Sequence, residues 1–166
     1  MEVFRICPTV YAGRDDVMSG EGAKKNGQRW NDPGVPAAYF GSSRALCALE
    51  LLVHLGDVSV APAALTMIRI ELNDGCRFTD HSVPSYLPVD WRNREDLTRA
   101  LGTRWLGTAY NHGFWIPSAI IPEERNLVIN PNSDIHNHVN VVIEGPFVFD
   151  ARLLNRPSKP SSSGTP

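Results

Sequence analysis

The sequence predicts an α+β domain, because segments of helical and strand character follow one another without a regular βαβ alternation. Apolar alternation in residues 65–72 indicates a strand, whereas the apolar segment at 43–55 is long enough for a helix. A length of 166 residues suits one domain with a single core. Hydrophobic residues make up 42% and charged residues 20% of the chain, proportions that are typical of a globular protein.

The first third of the chain predicts two strands separated by a long loop. Residues 3–6 are mostly apolar and indicate an opening strand, and residues 37–40 indicate a second one. Between them, residues 12–36 contain five glycines, two prolines and many polar side chains. We expect a structured loop there, and loops of this length in compact domains are commonly functional.

A helix is expected next. Ser42 or Ser43 can cap its N-terminus, and Gly56 follows residue 55 as its stop. After the strand at 65–72, residues 93–112 predict two short helices on either side of Gly102. The remaining strands are expected near residues 114–120, 127–130, 139–143 and 147–149.

The C-terminal residues 156–166 are rich in serine and proline and lack any large apolar side chain. Such a segment has nothing to bury against its ordering entropy, so we expect a disordered tail. The domain itself is expected to span residues 1–155.

Composition argues against several classes of protein. A net charge of −2 lacks the basic footprint of a nucleic-acid binder. We expect no membrane span, because no run of about 18 apolar residues occurs, and no signal peptide, because Glu2 and Arg5 stand where an apolar core would be needed. The three cysteines are far apart, which favours free thiols in a reducing cytoplasm.

Glu50 is the first candidate for chemistry. At 100° per residue, Leu46, Leu49 and Val53 share an arc of about 60° on the predicted helix, and Glu50 lies about 40° beyond that stripe. A carboxylate there loses solvation unless partners replace the water. Helix geometry leaves two interpretations open: a structural acid paired with a buried arginine or backbone amides, or a functional acid.

Two further candidates precede that helix. Arg29 follows a glycine-rich segment and can present its planar fork to a diphosphate, although a surface charge is the alternative. The neighbouring Trp30 is expected in the core. Tyr39 lies on the second predicted strand and can stack on an aromatic base, but a strand tyrosine is more often part of the core.

Ser118 and Asn126 are the candidates in the second half. Ser118 lies among apolar residues without a G-x-S-x-G setting, so a binding or orienting hydroxyl is favoured over a nucleophile. A serine bonded to backbone is the alternative. Asn126 precedes a predicted strand and either binds a ligand or closes a turn, and composition favours the turn.

A zinc site at His136, His138 and Asp134 is disfavoured, because structural zinc normally shows four ligands at recognisable spacings. Neither G-x-G-x-x-G nor G-x-x-x-x-G-K-[ST] occurs, so no Rossmann or P-loop phosphate site is predicted. We therefore expect neither a metal nor a resident cofactor.

Although each motif is weak alone, the series resembles the RES domain, a family named after its characteristic Arg, Glu and Ser. The resemblance covers about residues 3–150. The matching motifs are Arg5, Gly20-Glu21-Gly22-Ala23, Arg29-Trp30-Asn31, Tyr39, Ala48-Leu49-Glu50, His54, Trp105, Pro117-Ser118, Glu124, Asn126 and Asn130-Pro131.

This resemblance implies a fold related to the ADP-ribosyltransferases, with a split mixed sheet, flanking helices and a central cleft for NAD. It also implies the toxin of a type II toxin–antitoxin pair that causes growth arrest by cleaving the nicotinamide–ribose bond of NAD, by hydrolysis or phosphorolysis. NAD is then the substrate. The implied partner is an Xre-type helix-turn-helix antitoxin that blocks the cleft in a hetero-oligomeric complex.

By position in the motifs, Arg29, Tyr39, Glu50 and Ser118 match the catalytic residues of the family, with Asn126 as a further binding residue. Gln28 departs from the pattern where a glycine often stands, and residues 132–135 displace the histidine that usually follows Asn130-Pro131. Two alternatives remain: transfer of ADP-ribose to a protein, and a nucleotide-binding module without turnover.

Overall fold

The computed structural model describes residues 1–55, 64–82, 87–108 and 111–154. Within these ranges it contains one seven-stranded mixed sheet with flanking helices, which confirms the α+β prediction. The strands are β1 (Glu2–Pro8), β2 (Ala38–Gly41), β3 (Leu65–Leu72), β4 (Phe78–Asp80), β5 (Gly113–Pro117), β6 (Arg125–Ile129) and β7 (Val139–Phe147). The helices are α1 (Arg14–Ser19), α2 (Glu21–Asn26), α3 (Arg44–Leu55), α4 (Glu95–Leu106) and α5 (Ala151–Leu154).

The sheet is split near its middle. Its strand order is β4-β5-β6-β2-β1-β3-β7, and among the strands of the described residues only the β4–β5 pair is parallel. β1 pairs with β3 along seven residues, but it meets β2 in a single register pair, Phe4 opposite Gly41. Two half-sheets therefore diverge from this point, and the architecture is consistent with an ADP-ribosyltransferase-like fold.

The predicted helix α3 and its cap are confirmed. The Ser43 hydroxyl accepts a hydrogen bond from the Leu46 amide at 3.1 Å, as an N-cap side chain should. Gly56, the predicted stop, lies outside the described residues. The expected apolar stripe is wrong, because Val53 is 58% exposed, whereas Leu46 and Cys47 are buried. The face that meets the sheet is thus rotated toward Cys47, which brings Glu50 nearer to its centre.

The expectation of a loop over residues 12–36 is partly wrong, since two short helices form there. α1 is too short to be stable alone, and the burial of Val17 and Met18 against the sheet core stabilises it. Gly20 ends α1 in the left-handed conformation at φ 67°. A Cβ at this position would lie 2.6 Å from the Ala37 amide nitrogen, so the turn between α1 and α2 requires glycine.

Residues 95–106 form one helix, so the prediction of two helices broken at Gly102 is wrong. Gly102 permits close packing: a Cβ there would lie 2.0 Å from the Trp30 carbonyl oxygen. Trp30 is 2% exposed and packs between Trp91 and Trp105, with ring centroids 5.8 Å away on both sides. The prediction that Trp30 belongs to the core is confirmed.

The strand predictions for 65–72, 114–120 and 127–130 are confirmed within a few residues. The prediction for 139–143 is confirmed as part of β7, which continues to Phe147 and runs along β3 with an irregularity opposite Met67. The separate strand predicted at 147–149 is wrong, because only Phe147 of that segment lies in a strand. The short β4 and α5 were not predicted. The expected tail at 156–166 lies outside the described residues. None of the helices in the described part of the chain is long and apolar enough to cross a membrane.

Candidate active site

A cleft of about 440 Å³ lies where β1 and β2 diverge. Its size falls within the range of about 300–1,000 Å³ that is usual for small-molecule sites. β1 contributes residues 4–6, β2 contributes residues 39–41, and α3 covers one side. Four predicted site residues line it: Arg29, Tyr39, Glu50 and Asn126. The structure therefore brings together side chains that are distant in the sequence.

Glu50 is held by neutral hydrogen-bond donors. Its Oε1 accepts the Ser118 hydroxyl at 2.9 Å and the Asn126 side-chain amide at 2.7 Å. Oε2 has no hydrogen-bond partner within the described residues, and Glu50 forms no ion pair there. A carboxylate fixed through one oxygen by uncharged groups keeps its negative charge and a bare oxygen for a ligand. Of the two interpretations of Glu50, this geometry favours the functional one.

Ser118 is fully buried, and its hydroxyl is bonded on every side within the protein. Besides donating to Glu50, the oxygen accepts from the backbone amides of Ile120 and Ile121, at 3.0 and 3.1 Å. These amides fix the oxygen so that its hydrogen faces the carboxylate. In this geometry Ser118 contacts Glu50 itself, 68 residues away in the chain, and not the open cleft.

The same β5–β6 connection also holds the start of α3. Glu124 Oε2 accepts a hydrogen bond of 2.6 Å from Ser43, the residue that caps the helix. Ser118 meets the helix near its middle and Glu124 meets it at the N-terminus. The position of Glu50 relative to the sheet is therefore fixed at two points.

Arg29 lies on the loop between α2 and β2, and this loop is fastened by Tyr39. The Tyr39 hydroxyl donates to Asn31 Oδ1 at 2.7 Å and accepts from the Trp30 amide at 3.2 Å. Burial raises the pKa of Tyr39, so the hydroxyl stays protonated as a donor. Arg29 donates one bond to the Arg92 carbonyl at 3.0 Å and makes no ion pair among the described residues. Its guanidinium retains donors for an anion.

Arg5 also lines the cleft, although the residue-by-residue reasoning assigned it no role. It donates to the Val17 carbonyl at 2.7 Å, and its guanidinium lies over the Phe40 ring at 5.9 Å. Burial lowers its pKa, because desolvation disfavours the charged form. No carboxylate in the described residues pairs with it, so an anionic ligand would stabilise its charge. The signals in the sequence were a lone charge within an apolar strand and the place of Arg5 in the motif series.

Two more groups line the cleft. Cys47 donates to the Phe4 carbonyl at 3.0 Å, and burial raises its pKa to about 12, which keeps the thiol protonated and weakly nucleophilic. His54 lies one turn after Glu50, and its Nδ1 is 2.9 Å from the Glu50 carbonyl oxygen. The sequence reasoning assigned His54 no role, although it belongs to the motif series.

The histidines near the C-terminus lie outside the cleft. Potential ligand atoms of His112, Asp134 and His138 lie within 4.8 Å of one another, whereas His136 faces the Pro131 carbonyl. His112 Nδ1 accepts the Arg77 amide at 3.2 Å, so Nε2 carries the hydrogen that it donates to Asp134 at 2.7 Å. A metal ion at Nε2 would have to displace this hydrogen, and the arrangement suits a structural hydrogen-bond network.

The chain is similar to one protein family and to several named toxins. A family profile described as RES domain matches residues 2–150. A protein of Photorhabdus laumondii named "Toxin Res" is 35% identical over 93% of this chain and 97% of its own length. A "Toxin Res" of Yersinia enterocolitica is 33% identical over 92% of this chain and 99% of its own length. A Sphingobium protein named "Prs ADP-ribosylating toxin" is 32% identical over 92% of this chain and 96% of its own length.

The family resemblance seen in the motifs is therefore confirmed over nearly the whole chain. The match includes the strand that carries Arg5, the helix that carries Glu50 and the turn that carries Ser118. The chain belongs to the RES domain family.

Proposed function

We propose that this protein is the toxin of a toxin–antitoxin system and that it cleaves the nicotinamide–ribose bond of NAD. The names of its relatives support a toxin, and one of those names includes ADP-ribosylation. The observation that carries the proposal is Glu50: a carboxylate fixed by two neutral donors, in a cleft that two arginines also line.

The charge of Glu50 suits this bond cleavage. When neutral nicotinamide leaves, positive charge develops on the ribose ring, as in the oxocarbenium-like transition states of glycoside hydrolysis. A fixed anion in a partly dry cleft stabilises that charge without reorganising. Ser118 and Asn126 hold the carboxylate in place, so they act through Glu50.

The arginines suit the other half of the substrate. Arg5 and Arg29 both present guanidinium donors to the cleft, and neither is neutralised by a carboxylate of the described residues. They would bind the diphosphate, and this remote binding energy would orient the reacting bond. The ring of Tyr39 would stack on nicotinamide or face the ribose, while its hydroxyl holds the Arg29 loop.

The test is product analysis with the purified protein. Incubation with NAD should release nicotinamide, with ADP-ribose as the second product in phosphate-free buffer. In phosphate buffer, the appearance of ADP-ribose 1″-phosphate would indicate phosphorolysis. The same assay with NADP defines whether a 2′-phosphate is accepted. Nicotinamide that stays bound to ribose under all these conditions would refute the proposed activity.

Transfer of ADP-ribose to a protein is the second candidate, favoured by the name of the Sphingobium relative. The same bond breaks, and only the acceptor differs. Labelled NAD incubated with cell lysate distinguishes the two: free labelled ADP-ribose supports NAD depletion, and a labelled protein band supports transfer. A non-catalytic nucleotide-binding module would give neither product, and its expression would arrest growth equally with Glu50→Gln.

We further propose that the protein acts in the cytoplasm, where NAD is available, and that an Xre-type helix-turn-helix antitoxin covers the cleft. This protein has a net charge of −2, so DNA binding is assigned to the antitoxin. Co-expression with the antitoxin should restore growth and give a complex that co-purifies. A partner that restores growth without lowering NAD cleavage in the purified complex would contradict coverage of the cleft.

A further inference from the structure

We propose that His54 Nε2 is the base that accepts a proton from the water molecule that attacks the ribose after nicotinamide departs. This inference rests on the proposed function and adds a group to it. The cleft already has an anion for the ribose and two cations for the diphosphate. Hydrolysis also needs a proton acceptor for the incoming water.

His54 stands in the right place on the helix. It follows Glu50 by one turn of α3, and both residues line the same cleft. Side chains four residues apart lie on one face of a helix, with Cβ atoms about 5–6 Å from each other. A group at this distance from the carboxylate that faces the ribose can reach a nucleophile approaching the same ring.

One hydrogen bond fixes the protonation pattern of the imidazole. His54 Nδ1 lies 2.9 Å from the Glu50 carbonyl oxygen, and a carbonyl oxygen can only accept. Nδ1 therefore carries the hydrogen, and in the neutral ring Nε2 holds the lone pair. Within the described residues no group is bonded to Nε2, and His54 is exposed, so water can reach that nitrogen.

Other groups of the cleft that could take a proton are engaged elsewhere. Glu95 forms an ion pair with Arg99 at 2.5 Å. Tyr39 donates to Asn31, and Cys47 donates to the Phe4 carbonyl. Glu50 could accept a proton, but doing so would remove the negative charge that the ribose cation requires. Among the described residues that line the cleft, His54 is thus the base that can take a proton without giving up a charge or a hydrogen bond that the site uses.

The step balances without any further reactant. The bond between nicotinamide nitrogen and C1″ of the ribose breaks, and its electron pair leaves with nicotinamide, which becomes neutral. The water oxygen forms a bond to C1″, and one of its protons moves to His54 Nε2. The imidazolium then releases this proton to solvent. The products are ADP-ribose, nicotinamide and one proton.

The test compares water with azide, an anionic nucleophile that has no proton to lose. With His54→Gln in phosphate-free buffer, hydrolysis of NAD should fall about 10²-fold, the lower end of the range for general-base catalysis. The rate of ADP-ribosyl azide formation at high azide should stay near that of the wild type. Nicotinamide release follows total turnover, and chromatography separates the two ADP-ribose products.

Three variants make the result decisive. The variant His136→Gln changes an exposed histidine outside the cleft and should leave the rates with water and with azide unchanged. Glu50→Gln should lose both hydrolysis and azide formation, because Glu50 stabilises the ribose cation that forms before either nucleophile attacks. His54→Asn repeats the test with a shorter amide, and circular dichroism reports whether each variant folds.

The outcomes separate the two proposals. If His54→Gln hydrolyses NAD at the wild-type rate, or loses water and azide reactions equally, His54 is not the base, while the proposed function stands. If the wild-type protein releases no nicotinamide, the proposed function fails and the role of His54 fails with it.

Discussion

Two carboxylates close to α3 are held in opposite ways. Glu144, on the edge strand β7, pairs with both nitrogens of the Arg44 fork and with Arg69 at 3.2 Å. Among the described residues, Glu50, on the inner side of the helix, accepts hydrogen bonds only from the neutral groups of Ser118 and Asn126. Arginines of the protein therefore pair with the charge of Glu144, whereas no cation in the described part of the chain pairs with that of Glu50.

This difference indicates which acid is available for chemistry. The hydrogen bond from Arg44 lowers the pKa of Glu144, and its charge is largely neutralised at the surface. Such exposed pairs contribute little to stability and nothing to a ligand. A carboxylate oriented by neutral donors keeps its field for whatever enters the cleft. The arrangement around Glu50 is therefore the one expected of a group that meets a cationic substrate.

The largest expected effect comes from making the same change at both acids. Glu50→Gln should slow nicotinamide release from NAD by about 10²-fold or more, because it removes the charge that faces the developing cation. Glu144→Gln should leave the rate near that of the wild type. Steady-state rates of the two purified variants, with circular dichroism as a check on folding, test the contrast. Equal rates for the two variants would remove the distinction between the acids.

The second prediction concerns the neutral donor. Ser118→Ala deprives Glu50 of one donor, so the rate should fall about tenfold. It also leaves the partly buried amides of Ile120 and Ile121 without their acceptor, which should lower the free energy of unfolding by about 1–3 kcal/mol. Both quantities are measured on the same preparation, by nicotinamide release and by denaturant unfolding.

Ser133→Ala is the matched control for this change. Ser133 accepts from the Ile135 amide and donates to the Asn130 carbonyl, outside the cleft. Ser133 caps the short 3₁₀ helix Asp134–Asn137, so its loss should lower stability by about 1 kcal/mol, as for other helix caps, without changing the rate per folded molecule. A rate loss in both variants would mean that stability alone explains the effect of Ser118→Ala.

Local patterns in the sequence identified the elements that carry the site. The apolar segment before Gly56 and the serine at its start predicted α3 and its cap correctly, because both signals lie within one helix. The motif order brought Arg29, Tyr39 and Glu50 into consideration together, and the structure places all three around one cleft. The sequence placed Glu50 beside an apolar stripe, but it did not show that neutral donors would hold Glu50 while arginines pair with Glu144.

What the sequence did not reveal depends on contacts between distant segments. The bond from Ser118 to Glu50 joins residues 68 positions apart, so the choice between a ligand-binding and a positioning hydroxyl needed the sheet register. Arg5 enters the cleft because β1 separates from β2 beyond Phe4, a feature of pairing that no pattern encodes. Gly102 suggested a helix break, but close packing against Trp30 explains it instead.

A third prediction extends the comparison to the arginines. Arg29 has no carboxylate partner in the described residues, whereas Arg44 is paired with Glu144. Arg29→Ala should raise KM for NAD about tenfold, in line with the loss of a charge-assisted hydrogen bond to phosphate. Arg44→Ala should leave KM unchanged, although it disrupts the pair on β7. Saturation kinetics of both variants measure KM for NAD. A raised KM in Arg44→Ala alone would contradict the assignment of Arg29 to diphosphate binding.

The smallest expected effect belongs to the surface pair itself, and its pH dependence has a defined sign. The pKa of Glu144 is lowered from its ordinary value of 4.5 in the folded protein, mainly by the hydrogen bond from Arg44. A group with a depressed folded pKa stabilises the protein above its unfolded pKa, and this contribution disappears as pH falls through the folded pKa.

Glu144→Gln should therefore be less stable than the wild type by under about 1 kcal/mol at neutral pH. Denaturant unfolding of both proteins should show this gap closing below pH 4.5, and added salt should narrow it at neutral pH. A gap that widens in acid would mean that Glu144 is not held by its arginines, and the contrast with Glu50 would lose its basis.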